Sequence, residues 1–210
     1  MAATRTYHHG DLPRVLLGTA ADLVAEDGPT TWSLREVARR AGVSHAAPAH
    51  HFGDKAGLLR ALATEGFTLL GAALAAADSS PSEPLLNRFR ASANAYVQFA
   101  VTHRGHFDVM FRCDAFEPDD EFLLASIASY EALRSLVVEL LGPTADEGEI
   151  DEVTLTCWSL VHGLSTLHNQ GMLGSWGPGA TRTVEDATNA VIGVLLDGMS
   201  GRRSVDRQSG

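Results

Sequence analysis

Residues 44–55 read Ser-His-Ala-Ala-Pro-Ala-His-His-Phe-Gly-Asp-Lys. Ser44, His45, Ala46, Ala47, Ala49, His50 and His51 set hydroxyl and imidazole donors among methyl groups, without one large aliphatic side chain. Such a segment has little to bury and suits a polar surface that comes close. In a DNA major groove, short side chains let the backbone near the base edges and alanine methyls meet the thymine methyl. Imidazole and hydroxyl groups can donate to bases or phosphates. Lys55, the only lysine in the chain, stands where the next helix should start, beside amides that favour an anion. Thr31, Ser33 and Arg35 upstream, and Gly42 and Val43 at the intervening turn, are candidates for the same surface. The chemistry on offer is contact with phosphates and bases.

Other clusters invite weaker readings. Trp158 and His162 lie four residues apart on one helix face, with Gly163 beside them. His162 could hydrogen-bond a small ligand while Trp158 walls its pocket; equally, both could be core residues, with Gly163 allowing close helix approach. Phe107, Met110 and Phe111, near Cys113 and Phe116, form a soft aromatic and sulfur-rich surface of the kind found in ligand cavities. Phe89, Tyr96, Phe122 and Tyr130 are further candidates for lining such a cavity, and core packing accounts for the same residues. His103 and His106, with Asp108, Cys113 and Asp114 near, lack a spaced partner motif for a metal. His162, His168 and Cys157 come with no nucleophile motif and no glycine-rich phosphate loop. No catalytic residue, metal or cofactor is expected.

Periodicity places these residues on helices. Leu12, Val15, Leu16, Ala20, Leu23 and Val24 form one stripe, from about Asp11 to Asp27, ended by Gly28-Pro29. Ser33 with Glu36 reads as a capping box, each side chain satisfying an amide of the first turn. Leu34, Val37, Ala38 and Ala41 supply the apolar face of a short helix, and Gly42 suits a left-handed end. Ser44 then reads as the N-cap of a second short helix, with Pro48 in or just past its first turn and Phe52 as its anchor. A helix, a tight turn with glycine and a second helix make a helix-turn-helix. Asp54 should cap a long helix to about Ala77. Beyond the loop at 78–84 the pattern stays helical: from Leu85 to about Ala100, a short piece near His106–Arg112, then about Asp120–Leu141, Glu147–Gln170 and Thr183–Met199. The fold class is all-α.

The run SLREVARRAGVSHAAPAHHFGDKAGLLRAL resembles the N-terminal domain of TetR/AcrR-family transcriptional regulators. Ser33, Val37, Ala38, Ala41, Gly42, Val43, Ser44, His51, Phe52, Lys55 and Leu58 fall on the family pattern. Ala49 departs from it, standing where the family usually has a tyrosine that contacts the DNA backbone. WSLVHG, residues 158–163, resembles the Trp-His-Gly signature of a C-terminal domain in one subgroup. The resemblance implies a helix-turn-helix DNA-binding domain over 10–60 and a helical effector-binding and dimerisation domain over 61–199. A loose arm at 1–9, where Arg5 could reach a minor groove, and a loose tail at 200–210 would flank them. It further implies a homodimer through the last two helices, a palindromic operator in double-stranded DNA, and a small-molecule effector that releases it. A helical ligand-binding module with weak or lost DNA binding is the alternative that Ala49 raises.

The net charge of −10 argues against a nucleic-acid partner until its distribution is read. Residues 1–60 carry seven basic and six acidic side chains and five of the nine histidines, whereas 61–210 carry nine basic against twenty acidic. That asymmetry fits a DNA-facing segment on an acidic body. The start of the chain does not read as a secretory signal, and the apolar run near Leu69–Ala77 looks too short and alanine-rich to span a bilayer. Two cysteines, Cys113 and Cys157, form no disulfide framework. A cytoplasmic, nucleoid-associated protein without membrane contact is expected.

Overall fold

The computed structural model describes residues 12–206 except 79, 81, 113 and 174–182. The expected N-terminal arm with Arg5, Cys113, most of the glycine-rich loop after Gly171 and the last four residues lie outside the described residues. Among those described, nine helices and no strand are present. They are α1 (Leu12–Asp27), α2 (Leu34–Ala41), α3 (Ala47–Phe52), α4 (Lys55–Ala77), α5 (Leu85–Thr102), α6 (Arg104–Met110), α7 (Asp120–Leu141), α8 (Glu147–Asn169) and α9 (Val184–Asp206).

The chain divides into two compact units. One takes the described residues of Met1–Leu69 together with His103–Ile127, and the other those of Leu70–Thr102 with Ala128–Gly210. Helices α4 and α7 thus contribute to both. The first unit therefore extends past residue 60 and recruits a distant segment, which local sequence pattern cannot announce.

In the first unit the stripe of α1 is the floor: Leu16, Ala20, Leu23 and Val24 are all buried, against α2 and α6. Val37 and Ala38 of α2 and Leu58, Leu59 and Leu62 of α4 complete this core. Each fully buried aliphatic side chain contributes ~1.5–3 kcal/mol. Helix α6 is almost wholly interior, with Gly105, His106, Phe107, Val109 and Met110 buried. Its entry depends on Gly105, where a Cβ would fall 2.0 Å from the Ala21 carbonyl oxygen of α1. In the second unit α5 packs on α8 and α9, burying Phe89, Tyr96 and Val97 with Ile150, Cys157, Val161, Ile192 and Leu196. Arg88 closes one edge, its Nε 2.6 Å from Asp78 and its Nη1 2.9 Å from Glu139.

Four local expectations change. Helix α3 begins at Ala47 with Ala46 as N-cap and no side-chain cap; Ser44 instead opens a turn in which its carbonyl accepts the Ala47 N–H at 3.0 Å. Pro48 is the second residue of this shorter helix, in the first turn, where its missing N–H interrupts no helical bond. The capping box is only half formed. Ser33 Oγ accepts the Glu36 N–H at 3.3 Å, but the Glu36 carboxylate turns to Arg39, at 2.9 and 2.5 Å. Helix α9 continues to Asp206 rather than ending near Met199. Finally, α4 is long and apolar enough to cross a membrane by length and composition, with half of its most apolar window buried inside the protein.

Candidate nucleic-acid interface

The turn between α2 and α3 is built by Gly42. At φ 71° and ψ 31° it is left-handed, a conformation glycine enters without steric cost. Its N–H reaches the Arg39 carbonyl at 3.2 Å and the Val43 N–H reaches that of Ala38 at 3.0 Å. This pair of bonds is a Schellman closure, satisfying carbonyls that the helix end would otherwise leave unpaired. The chain then turns out through Ser44–Ala46 and back into α3.

What α3 and the turn before it show to the outside matches their composition. His45, Ala46, Ala49, His50 and His51 are exposed, as is Ser44, while Ala47 and Val43 are half-buried. Pro48 is the one fully buried residue of α3 and Phe52 is half-buried, so the element is fastened by its inner edge. The imidazoles of His50 and His51 meet edge to face at 5.3 Å. Asp54 fixes the exit: its Oδ1 accepts the Gly57 N–H at 2.8 Å, and Leu58 donates to its carbonyl at 3.1 Å.

The charges around this surface are mostly committed within the protein. Arg40 meets Glu26 through two bonds of 2.6 Å, and this pairing holds the Glu26 carboxyl below its ordinary range. Arg39 does the same for Glu36. Arg35 is exposed, and its side chain has no ion pair or hydrogen bond among the described residues. Thr31 Oγ1 donates to the Asp27 carbonyl at 2.7 Å. Lys55 was a candidate for phosphate, yet its Nζ donates to the carbonyls of Trp32 at 2.8 Å and Thr30 at 3.0 Å. It also lies 4.4 Å from the centre of the Trp32 ring, and burial lowers its pKa. Sequence spacing could not reveal that second task, because the partners are backbone atoms more than twenty residues upstream.

The candidate effector residues fall into two groups. Phe107, Met110, Phe111 and Phe122 belong to the first unit, where Phe67 joins them. Its ring meets Phe111 at 5.4 Å and Phe122 at 5.5 Å, and Phe116 meets Phe122 at 5.3 Å, all edge to face. Phe89, Tyr96, Tyr130, Trp158 and His162 belong to the second. There the buried Tyr96 hydroxyl receives the Trp158 indole N–H at 3.2 Å and lies 3.0 Å from His162 Nδ1. Tyr130 stacks edge-on to Trp158 at 6.5 Å. Burial pushes the Tyr96 hydroxyl far above its ordinary pKa and lowers that of His162. The arrangement is a hydrogen-bonded chain in which the Tyr96 hydroxyl bridges indole and imidazole.

His106, read from sequence only as a weak metal candidate, is buried and bonded through Nε2 to Glu65 at 3.0 Å. No group of three or more metal-ligating side chains occurs among the described residues. Beside the end of α3 lies an open cavity of about 560 Å³, walled in part by His51, Arg60, Glu65, Asp119 and Glu121. Arg60 is already paired with Asp119 at 2.7 Å. None of the nine candidate effector residues lines this cavity.

Comparison with known proteins gives these features a family. Residues 16–62 match the family described as bacterial regulatory proteins, tetR family. Residues 89–191 match the tetracyclin repressor-like C-terminal domain. A solved protein of unknown function from Rhodococcus sp. RHA1 is 36% identical over 93% of this chain and 98% of its own, with a TM-score of 0.75. A tetR-family regulatory protein from Rhodococcus RHA1, at 20% identity, covers 89% of this chain and 95% of its own with a TM-score of 0.68. PfmR, a TetR-family transcriptional regulator of Thermus thermophilus, is also 20% identical, over 87% and 97%, with a TM-score of 0.67. No curated protein matches the chain. The helix-turn-helix, the helices that follow it in the chain and the two family matches agree: the chain belongs to the TetR family of DNA-binding transcription regulators.

Proposed function

We propose that the protein is a homodimeric, ligand-responsive repressor, working on DNA in the cytoplasm, that holds a palindromic operator and releases it when a small molecule binds. The observation that carries this reading is the exposure of Ser44, His45, Ala46, Ala49, His50 and His51 on a short element anchored by Pro48. A segment of methyls and small donors kept outside is suited to base edges. Thr31, Ser33, Arg35, Gly42, Val43, Ala47 and Lys55 would flank it. Dimerisation through α8 and α9 is supported by Leu155, Leu167 and Val194, which are 57%, 45% and 76% exposed; apolar surface of this kind often marks an interface. Two recognition elements about one duplex turn apart, ~34–36 Å, would read the two half-sites.

For the effector, the two side-chain groups described above are the proposed contacts, and the Trp158-His162-Gly163 motif supports the Trp-His-Gly subgroup. A coupling of ~1–3 kcal/mol between ligand and DNA changes affinity by ~5–150-fold, enough for a switch. A second reading, a ligand-binding module with weak DNA contact, is favoured by Ala49 and by the internal pairing of Arg39, Arg40 and Lys55. Selection of genomic fragments by the purified protein, followed by sequencing, separates the two. Recovery of a repeated, inverted half-site supports the repressor; fragments with no shared sequence at physiological salt support the module.

A further inference from the structure

We propose that Lys55 is a positioning residue of the DNA interface, clamping the loop that carries Thr31 and Ser33, rather than a contact to phosphate. This rests on the DNA-binding reading above. An ammonium has three protons, and two of those on Lys55 already point to the carbonyls of Trp32 and Thr30, at 2.8 and 3.0 Å. The third side of the cation faces the Trp32 ring, 4.4 Å from its centre, where the ring quadrupole attracts it. Trp32 is only 5% exposed, yet its indole N–H has no hydrogen-bond partner among the described residues. A buried donor left unpaired is unfavourable, so this tryptophan is kept for its face and its bulk. Its position makes sense beneath a cation.

The consequence falls on the start of α2. The loop 28–33 is tied to α1 at one end, by Gly28 N–H to the Val24 carbonyl at 2.9 Å and by Thr31 Oγ1 to that of Asp27. Lys55 ties its other end to α4. Ser33, the N-cap of α2, directly follows the clamped Trp32 carbonyl, and Arg35 is the second residue of that helix. The clamp therefore sets where the exposed Arg35 and Ser33 stand, and the burial that comes with it lowers the tendency of the lysine to hold its proton.

Parent, Lys55→Met and Lys55→Arg are compared free and on a duplex that the parent selects from a randomised library. In the DNA-free protein, amide hydrogen exchange over residues 30–36 should be roughly tenfold faster in Lys55→Met, with α5 and α8 unchanged, as expected for a local opening. On DNA, affinity should fall by roughly tenfold or more while the dependence on salt keeps its slope, because no phosphate contact has been removed. Lys55→Arg keeps the charge but alters the donor geometry, and should bind more weakly at the same slope. The proposal is overturned if exchange over 30–36 does not change, if the slope drops by about 0.9 per protomer, or if Lys55→Arg binds as tightly as the parent. Should Lys55→Met fail to fold, Lys55→Arg decides by exchange over 30–36, which should be faster than in the parent, and by affinity, which should be lower; no change in either overturns the proposal. If the parent selects no duplex, the DNA-binding reading fails on its own account, and exchange without DNA still judges the clamp.

Discussion

Between residues 30 and 55 the strong cations are four, and three are spoken for: Arg39 by Glu36, Arg40 by Glu26 and Lys55 by two carbonyls. Arg35 alone remains exposed and uncommitted among the described residues of this stretch. Replacing it with alanine should weaken binding about equally across sequences and reduce the salt slope by about one per protomer, the pattern of a lost phosphate contact. Titration at several salt concentrations checks this, and an unchanged slope would mean that Arg35 stands away from the duplex. A second residue-scale prediction concerns His162. Burial lowers its pKa below the ordinary 6.5, so the unfolded chain takes up a proton at higher pH than the folded one. The stabilisation is therefore present above about pH 6.5 and is lost as pH falls through the lower folded value. Denaturant titrations between pH 8 and pH 5 should show this loss in the parent and a smaller one in His162→Gln. Removing the bridging hydroxyl with Tyr96→Phe leaves the Trp158 N–H and His162 Nδ1 without it, and should destabilise by about 1–3 kcal/mol in the same titrations.

At the scale of elements, the helix-turn-helix and the α1–α6 contact rest on glycines for different reasons. Gly42 is needed for its left-handed backbone; Gly42→Ala should cost about 1 kcal/mol by strain and loosen the turn that presents α3. Gly105 is needed for space. A methyl there would meet the Ala21 carbonyl oxygen at 2.0 Å, backbone that cannot step aside, so α6 must move off α1. Gly105→Ala should destabilise by about 1–3 kcal/mol or more, measured as a lower denaturation midpoint, whereas alanine at Gly18, which has open space around it, should be tolerated. The helix boundaries themselves were largely legible, because α1, α2, α4, α5 and α7 carry clean apolar periodicity between glycine and proline punctuation. The start of α3 was not, since Ser44 is a good cap in isolation, yet Ser44–Ala47 close a turn and the helix begins at Ala47 with no side-chain cap.

For the whole molecule, the exposed leucines and valine of α8 and α9 are the surface on which the proposed second copy would sit. Leu155→Glu combined with Val194→Glu should turn a dimer into a monomer by light scattering. Operator affinity should then drop far more than any single contact residue explains, since two half-sites would no longer be held together. A variant that stays dimeric would move the interface elsewhere. The acidic body and nearly neutral first sixty residues also imply that binding is weak and falls only shallowly as salt rises, because few phosphates are neutralised.

The order of residue types along the chain was enough to establish an all-α protein, the helix-turn-helix, its outward-facing small residues and the family pattern, because these depend on local periodicity, on backbone preferences of glycine and proline, and on short-range spacing. The fate of charge was decided only by tertiary structure. Spacing alone cannot tell that Lys55 finds Trp32 and Thr30, that Arg40 reaches back to Glu26, or that Tyr96 joins Trp158 to His162. Nor does it tell that residues 103–127 join the first unit. Each of these depends on groups far apart in the chain meeting within hydrogen-bonding or packing distance, and it is the folded core that brings them there.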